Sequence, residues 1–320
     1  MDKRYDVLTF GDLCVDLIVS GKDVIPEFGQ KEKLVDDYSL EMGGSCSIFA
    51  CQAAKLGLKT VVAGKVGNDM YGRLVLDTLE KSGVITRFIG VGSRLKTGIG
   101  IALNKFDDRA ILTYTGSIDS IGREDVDEEL LMSVRHLHIG SFYLMKKLQP
   151  HYPEIARKIK NNGGTVSLDT NWDPAEEWDG MIWDVLPYTD ILLLNENEIM
   201  GIAKMDNLEK AVEHLGGKVP VIVVKRGKEG AVAYDCDNIY SCPSVSVAEI
   251  KDTIGAGDSF DAGFVFGYIS GKSIEECIKI GCICGSLNTR AAGGTKGQPR
   301  LDEILDFLSR IQVAVLCPDC

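Results

Sequence analysis

The chain of 320 residues is short of several features that mark other classes of protein. No apolar run reaches the roughly 18 to 20 residues that cross a bilayer, so the sequence predicts no membrane span. No block of lysine and arginine offsets the formal net charge of −12, which disfavours a nucleic acid or an anionic membrane as a partner. Only four histidines occur, and their spacing fits no metal site.

Ten cysteines are present, and most of them lie inside apolar runs. Because no secretory signal precedes the first strand pattern, we expect reduced, buried thiols in a cytoplasmic protein. Cys317 and Cys320 have the CxxC spacing of a zinc or redox site. No second ligand pair accompanies them, so we favour a simple C-terminal tail over a metal site.

Two widespread phosphate-binding motifs are also missing. No GxxxxGK[ST] occurs, and the near matches to GxGxxG that begin at Gly90 and Gly255 end in Leu95 and Phe260 instead of glycine. These absences disfavour a P-loop NTPase and a dinucleotide-dependent dehydrogenase.

Short apolar runs rich in β-branched residues alternate with longer helical patterns along most of the chain. This alternation predicts an α/β fold, a three-layer α/β/α sandwich whose mostly parallel central sheet is covered on both faces. The predicted strands are residues 7–10, 61–66, 137–139, 165–168, 191–194 and 221–224. The predicted helices are residues 46–56, 71–81, 152–161, 181–186, 208–215, 256–270, 274–290 and 301–310.

Two stretches interrupt the alternation. The first predicts two strands joined by a loop, and the second predicts two strands around a turn at Asp107 and Asp108. We expect these four strands to form a small separate sheet that covers the ligand site as a lid and excludes water, with an extra hairpin on the main sheet as the alternative. The predicted division is a core of residues 1–15, 41–96 and 116–320 and a lid of residues 16–40 and 97–115.

Residues 251–263 (KDTIGAGDSFDAG) contain the strongest indication of a phosphate site. Gly255, Ala256 and Gly257 precede a long apolar helix pattern, and the unpaired N–H groups of a first helical turn bind anions. Asp258 in the same turn is either a helix cap or a general base that accepts a proton from a substrate hydroxyl. This turn alone favours the cap.

Four motifs together resemble those of the PfkB, or ribokinase-like, carbohydrate kinase family. Residues 252–260 (DTIGAGDSF) are similar to the family's C-terminal signature, and residues 43–57 to its N-terminal signature. Residues 195–198 (NENE) resemble its Asn-x-x-Glu motif, and residues 224–230 (VKRGKEG) resemble its nucleotide-side turn. The motifs occur in the family's order and span nearly the whole chain.

The resemblance implies a ribokinase-like fold and ATP-dependent phosphorylation of a hydroxyl group on a small sugar-like molecule. Asp258 would be the general base, and the backbone N–H groups of Gly255, Ala256 and Gly257 would form the anion hole. Two alternatives stay open: a nucleoside kinase of the same fold, and a sugar- or nucleotide-binding protein that has lost the chemistry. The family's lids often pair, so the resemblance also implies a homodimer formed through the lid.

The resemblance further implies ATP and Mg²⁺ as cofactors, with Asn195 and Glu198 organising the ion through water. The residues alone favour a helix cap and its capping-box partner at these two positions. Asp252 resembles the family's monovalent-cation ligand, which would make K⁺ a further cofactor, but it is equally consistent with a loop cap. The other nucleotide-binding residues that the resemblance implies are Lys225, Gly227, Gly230 and Asn288.

On the acceptor side, the resemblance implies that Asp16 binds sugar hydroxyls, with Asp12 as a second candidate. Backbone contacts would come from Gly43 and Gly44. Asn171 follows the carboxyl end of a predicted strand, where ligands of α/β sheets bind.

Two departures from the family pattern bear on this site. Ile48 stands where the family usually has asparagine, and an isoleucine cannot hydrogen-bond a sugar hydroxyl. Either Ser45 and Ser47 replace that contact, or the acceptor lacks a hydroxyl there. Lys225 and Arg226 stand where Thr-Leu is more usual, and they either bring positive charge to the phosphates or are solvated turn residues.

Overall fold

The computed structural model describes residues 3–105, 108–236 and 238–316. The predicted turn residue Asp107 and the CxxC residues Cys317 and Cys320 lie outside these ranges. The strands are β1 (Tyr5–Phe10), β2 (Cys14–Ser20), β3 (Asp37–Gly43), β4 (Thr60–Gly67), β5 (Ile85–Gly92), β6 (Gly98–Lys105), β7 (Asp108–Tyr114), β8 (Val134–Ile139), β9 (Thr165–Leu168), β10 (Ile191–Asn195), β11 (Val221–Lys225), β12 (Ala231–Asp235) and β13 (Asn238–Cys242). The helices are α1 (Ser45–Lys55), α2 (Met70–Lys81), α3 (Glu128–Met132), α4 (Tyr152–Asn161), α5 (Ile182–Val185), α6 (Glu196–Ala203), α7 (Leu208–Gly216), α8 (Ala256–Ile269), α9 (Ile274–Asn288) and α10 (Leu301–Leu316).

A large sheet forms the centre of the fold, with strand order β13-β12-β11-β10-β9-β8-β1-β4-β5. From β11 to β5 every neighbouring pair is parallel, whereas β12 and β13 add an antiparallel edge. The predicted mostly parallel sheet is confirmed. None of the helices within the described ranges is long and apolar enough to cross a membrane.

Both faces of this sheet are covered. Successive side chains of a strand point to opposite faces, so the four consecutive apolar residues of β10 serve two cores. Leu192 and Leu194 pack with residues of α4, α6 and α7, whereas Ile191 and Leu193 pack with residues of α1, α8 and α9. All four are fully buried. The predicted three layers are therefore confirmed.

A second, smaller sheet has the strand order β3-β2-β6-β7. Its central pair is parallel, and its two outer pairs are antiparallel. The predicted small separate sheet is confirmed, and the alternative of an extra hairpin on the main sheet is wrong. Its strands reach Cys14 and Gly43, slightly beyond the predicted lid segments 16–40 and 97–115, and we keep that division as a proposal.

Helix α8 and helix α9 pack closely because glycines face each other's helix. A Cβ atom at Gly263 in α8 would lie 2.7 Å from the Cys284 sulfur, and one at Gly281 in α9 would lie 2.9 Å from the Phe260 ring. A Cβ atom at Gly285 would lie 2.9 Å from the carbonyl oxygen of Ala256. These glycines set the position of the first turn of α8, which contains Asp258.

We predict that Gly285→Ala lowers the free energy of unfolding by about 1–3 kcal/mol, because the new methyl group forces α8 away from α9. The matched control is Gly216→Ala in the last turn of α7, where a Cβ atom meets nothing within 4 Å. That variant should leave stability unchanged or raise it by up to about 1 kcal/mol. Chemical denaturation measures both, and equal stability of the two variants would contradict the close packing.

Candidate active site

The carboxyl ends of five neighbouring parallel strands, β11, β10, β9, β8 and β1, lie along one edge of the large sheet. Ligands of open α/β sheets bind at this edge. Polar residues end each of these strands or follow it within two positions. They are Lys225, Asn195, Asp169, Ser141 and Asp12.

The first turn of α8 supplies an amide-lined surface. Gly255 caps the helix with φ of 72°, a left-handed conformation that glycine adopts without strain. The Ala256 N–H donates a long hydrogen bond of 3.3 Å to the Thr253 carbonyl. The N–H groups of Gly255 and Gly257 have no acceptor among the residues that the structure describes. Such free amides at a helix start are suited to an anion.

Asp258 is half-buried in this same turn. Burial raises the pKa of its carboxyl group to about 7, and the nearby Asp169 and Asp12 carboxylates add to the increase. The Lys225 ammonium and a hydrogen bond with Ser45 act in the opposite direction. A carboxylate with a pKa near neutrality is well matched to general-base catalysis.

Ser45 connects Asp258 to the residues after β9. Its hydroxyl group hydrogen-bonds the Asp258 carboxylate and accepts a hydrogen bond of 2.9 Å from Asn171 Nδ2. Asn171 has φ of 55° and is fixed by two further bonds: its Oδ1 accepts from the Ser141 N–H at 3.0 Å, and its N–H donates to Asp169 at 3.1 Å. Asn171 is therefore linked to Asp258 through a single intervening side chain, that of Ser45.

Asp12 anchors the start of α1 from below. Its carboxylate accepts hydrogen bonds from the N–H groups of Ser45 at 2.9 Å and Cys46 at 3.0 Å, and another from the Ser141 hydroxyl. A Cβ atom at Gly44 would lie 2.1 Å from the Asp12 carbonyl oxygen. Asp12 is almost fully buried, so it lies behind the surface that a ligand can reach.

Asp16 lies in β2 of the small sheet, between two glycines on the neighbouring strands. A Cβ atom at Gly43 or Gly100 would lie 2.5 or 2.6 Å from the Asp16 Oδ1. Burial raises the pKa of Asp16 to about 6, assisted by Asp12 and opposed by the positive charge of Arg109 in β7. The two glycines thus leave the space that this carboxylate occupies.

The residues around Ile48, which stands where asparagine was expected, are buried. Ile48 packs with Ile18, Ala102 and Ile254 in a small apolar cluster between the small sheet, α1 and the loop before α8. Ser47 is fully buried, and its hydroxyl group has no partner within the described part of the chain. The structure therefore places Ser45, and not Ser47, against Asp258.

Asn195 and Glu198 form a capping box at the start of α6. The Asn195 Oδ1 accepts from the Glu198 N–H, and the Glu198 Oε2 accepts from the Asn195 N–H, both at 2.9 Å. Burial and the Asp169 carboxylate raise the pKa of Glu198 to about 7. A buried carboxylate of this kind is a fitting oxygen ligand for Mg²⁺ or its waters.

Lys225 is largely buried at the end of β11. Its Nζ lies 2.8 Å from Asp169 and 3.0 Å from Asp261, and 3.6 Å from the position of a Cβ atom on Gly257. Arg226 instead is exposed and pairs with glutamates at the surface. The sequence offered two interpretations of this pair. Arg226 fits that of a solvated turn residue, whereas Lys225 fits that of a positive charge beside the anion site.

The remaining predicted nucleotide-side residues support loops. Gly227 and Gly230 have φ of 55° and 90°, and a Cβ atom at Gly230 would overlap the Cys242 carbonyl oxygen. Asn288 is buried and donates to the Ile254 carbonyl at 2.8 Å. Asp252 accepts from the N–H groups of Ile254 and Gly293, both at 3.0 Å. None of these hydrogen bonds involves Asp258.

Several of these contacts could not be predicted from the sequence motifs. Gly100, Asp169 and Asp261 were not predicted as site residues, and Ser45 was considered only, together with Ser47, as a substitute for the asparagine that Ile48 replaces. Ser45 follows the Gly43-Gly44 pair at the start of a helix, which is a usable signal. The other three are brought together only by the fold. Within the described ranges, no group of three or more His, Cys, Asp or Glu side chains is arranged to hold a metal ion.

Comparison with known proteins agrees with this arrangement. The sequence model of the pfkB family carbohydrate kinases matches residues 5–301. An uncharacterized sugar kinase of Archaeoglobus fulgidus is 31% identical over 77% of this chain and 98% of its own length. A 5-dehydro-2-deoxygluconokinase of Geobacillus thermodenitrificans is 24% identical over 98% of this chain and 95% of its own.

A similar solved structure is an E. coli chain assigned to ribokinase II, in complex with ATP and Mg²⁺. It superimposes with a TM-score of 0.81 over 96% of this chain and 99% of its own, at 26% identity. The fold is therefore ribokinase-like. With the family model matching nearly its whole length, the chain belongs to the PfkB family and is a carbohydrate kinase.

Proposed function

We propose that the chain transfers the γ-phosphoryl group of ATP to a hydroxyl group of a small sugar-like acceptor, with Asp258 as the general base. The observation that carries this proposal is the half-buried Asp258 carboxylate in the same turn as the free N–H groups of Gly255 and Gly257. The carboxylate takes the hydroxyl proton as the oxygen attacks phosphorus. Together with Ala256, the two glycines offer the first-turn amides and the positive helix end to the charge on the transferred group.

ATP lies on the side of β10 and β11 in this proposal. Asn195 and Glu198 hold Mg²⁺ mainly through water, and the ion when bound neutralises phosphate charge. The adenosine end lies along the turn of Gly227 and Gly230 and the loop that Asn288 supports. Asp252, whose two oxygens already accept amide hydrogen bonds, is the proposed carboxylate ligand of a K⁺ ion.

The acceptor lies between Asp258 and the small sheet. Asp16 binds its hydroxyl groups, Gly43 and Gly44 offer backbone contacts, and Asn171 reaches it through Ser45. Asp12 and Ser47 are buried and shape this surface from behind.

We infer that the acceptor is a deoxy sugar acid. Ile48 offers no hydrogen bond where the family usually has asparagine, so a carbon without a hydroxyl group is tolerated there. The positive charge of Arg109 is close enough to lower the pKa of Asp16, and it suits an acidic acceptor. A relative is named as a kinase of a deoxy sugar acid, 5-dehydro-2-deoxygluconate.

The first experiment follows ADP release from Mg-ATP with deoxy sugar acids, ketohexoses, pentoses and nucleosides. We predict the highest kcat/KM for a deoxy sugar acid. Asp258→Asn should lower kcat at least about a hundredfold and leave Mg-ATP binding intact, because only the proton acceptor is lost. Turnover of nucleosides alone would contradict the acceptor, and an active Asp258→Asn variant would contradict the base.

The pH dependence gives a second prediction. Because the base acts only when deprotonated, kcat/KM should rise about tenfold per pH unit below the Asp258 pKa of about 7 and level off above it. Ser45→Ala removes a hydrogen bond that lowers this pKa, so the acidic limb should move to higher pH. Ser47→Ala removes a hydroxyl group without a partner and serves as the control. An unchanged acidic limb of kcat/KM in Ser45→Ala would rule out the contact between Ser45 and Asp258.

We further propose that the small sheet joins two copies of the chain. Its strands and the loop between β2 and β3 expose several large apolar side chains, of which Phe28 is 98% and Leu34 90% accessible. The others are Ile25, Val35, Tyr38, Ile111, Leu112 and Tyr114. Burying such a surface favours association.

Light scattering should give twice the mass of one 34.8 kDa chain. The double variant Ile111→Glu/Leu112→Glu changes both faces of β7 and should give a monomer, because charge is costly in an apolar interface. Ile239→Glu, at an exposed site on the edge strand β13, is the control and should remain dimeric. A wild-type mass of one chain would contradict the dimer.

A further inference from the structure

Three charged side chains from three separate elements meet under the first turn of α8. Lys225 at the end of β11 lies 2.8 Å from Asp169, which follows β9, and 3.0 Å from Asp261 in α8. The Asp169 and Asp261 side chains are 4% and 0% exposed. Ion pairs at the surface contribute little, but a buried group of this kind holds its members in fixed positions.

The pKa values of the two carboxyl groups are shifted in opposite directions. Asp261 hydrogen-bonds to Asp169, and the Asp261 Oδ1 has no donor within the described part of the chain. Burial strongly raises the pKa of Asp261, whereas Lys225, against the opposing effect of burial, keeps the pKa of Asp169 below its usual value. Burial therefore favours the protonated form of Asp261, and Lys225 favours the ionised form of Asp169.

Within the described part of the chain, the Lys225 ammonium has one N–H donor without an acceptor. It carries three donors, and Asp169 and Asp261 accept two of them. Its Nζ is 3.6 Å from the position of a Cβ atom on Gly257, whose own N–H is free. The unused donor and the free amide thus border the same space, beside the Asp258 carboxylate.

We infer, on the basis of the proposed function, that Lys225 is a catalytic residue whose ammonium contacts the transferred phosphoryl group, and that Asp169 and Asp261 are positioning residues that hold it there. Asp169 holds the ammonium by charge, and Asp261 accepts a hydrogen bond from it. The attacking hydroxyl gives its proton to Asp258 while its oxygen bonds to phosphorus and the bond from phosphorus to the ADP oxygen breaks. Lys225 keeps its proton throughout and stabilises the charge on the phosphoryl oxygens.

The pH profile of Lys225→Met tests this position. Four titratable groups surround Asp258: Asp12 before β2, Asp169 after β9, Lys225 at the end of β11, and Asp261 in the same helix α8. Glu198 of α6 in turn faces Asp169 and Lys225. Removing the lysine charge leaves the carboxylates, so the pKa of Asp258 rises. The acidic limb of kcat/KM should then move to higher pH, which a loss of stability alone does not produce.

Lys225→Met should lower kcat about a hundredfold or more with less than about a fivefold change in KM for ATP, because the contact strengthens in the transition state. The single variant leaves Asp169 ionised in a buried place and can unfold. The double variant Asp169→Asn/Lys225→Met removes the negative and the positive charge together, and it should fold and show the same loss of kcat. Thermal denaturation verifies folding.

Asp261→Asn and Asp261→Leu test the positioning role. Asparagine keeps an oxygen that accepts the hydrogen bond from Lys225, so it should retain at least about a tenth of kcat, whereas leucine, which has no acceptor, should lose more than about tenfold beyond that. In these assays the acceptor substrate is the compound from the panel under Proposed function that gives the highest turnover.

The outcomes separate the two proposals. If the wild type phosphorylates no acceptor, or if Asp258→Asn stays active, the proposed function fails. If Asp258→Asn is inactive but the folded double variant keeps kcat within about threefold of the wild type, the inference about Lys225 fails while the proposed function stands. Equal kcat values for Asp261→Asn and Asp261→Leu would overturn the positioning role.

Discussion

The site depends on one electrostatic constraint, the placement of several carboxyl groups around a single buried ammonium. Asp169, Asp258, Asp261 and Glu198 all lie close enough to Lys225 for its charge to affect their pKa values. Water stabilises these carboxylates poorly because they are buried, so some must keep a proton or gain a cation. Lys225 favours the ionised form of Asp169, burial favours the protonated form of Asp261, and the pKa values of Asp258 and Glu198 are raised to about 7.

Glu198 reaches this cluster from α6, and Asp258 reaches it from α8. Under the proposed function, the charges of Mg²⁺ and a nucleotide bound beside Glu198 would alter the proton affinity of Asp258 through the same group of buried charges.

Much of the fold could be predicted from the sequence because its signals are local. The strand β10 has four consecutive buried aliphatic residues, and the predicted range differs from the observed Ile191–Asn195 by one residue. The edge strand β5 was missed because one face is solvated and its sequence, ITRFIGVG, has no clean alternation. The second edge strand, β13, is mostly exposed and was missed for the same reason. Edge strands owe their structure to a neighbour that the local sequence does not specify.

The site divides in the same way. Asp258 and the glycines before it lie in one contiguous segment, so their chemistry could be inferred from residue types and order. The contact between Ser45 and Asp258 joins positions more than two hundred residues apart, and the meeting of Lys225 with Asp169 and Asp261 likewise requires the assembled sheet. Gly100 had no signal at all, since its role is to leave space for a side chain on the neighbouring strand.

The small sheet carries Asp16 in β2 and ends at Gly43, immediately before helix α1. Under the proposed function it therefore contacts the acceptor and is more than a cover. The residues proposed to transfer the phosphoryl group belong to α8 and the large sheet, whereas Asp16 and Gly43, which are proposed to bind the acceptor, belong to the small sheet. Natural selection can thus alter which compound is used by substitutions in the small sheet while the machinery of transfer stays intact, an architecture suited to diversification after gene duplication.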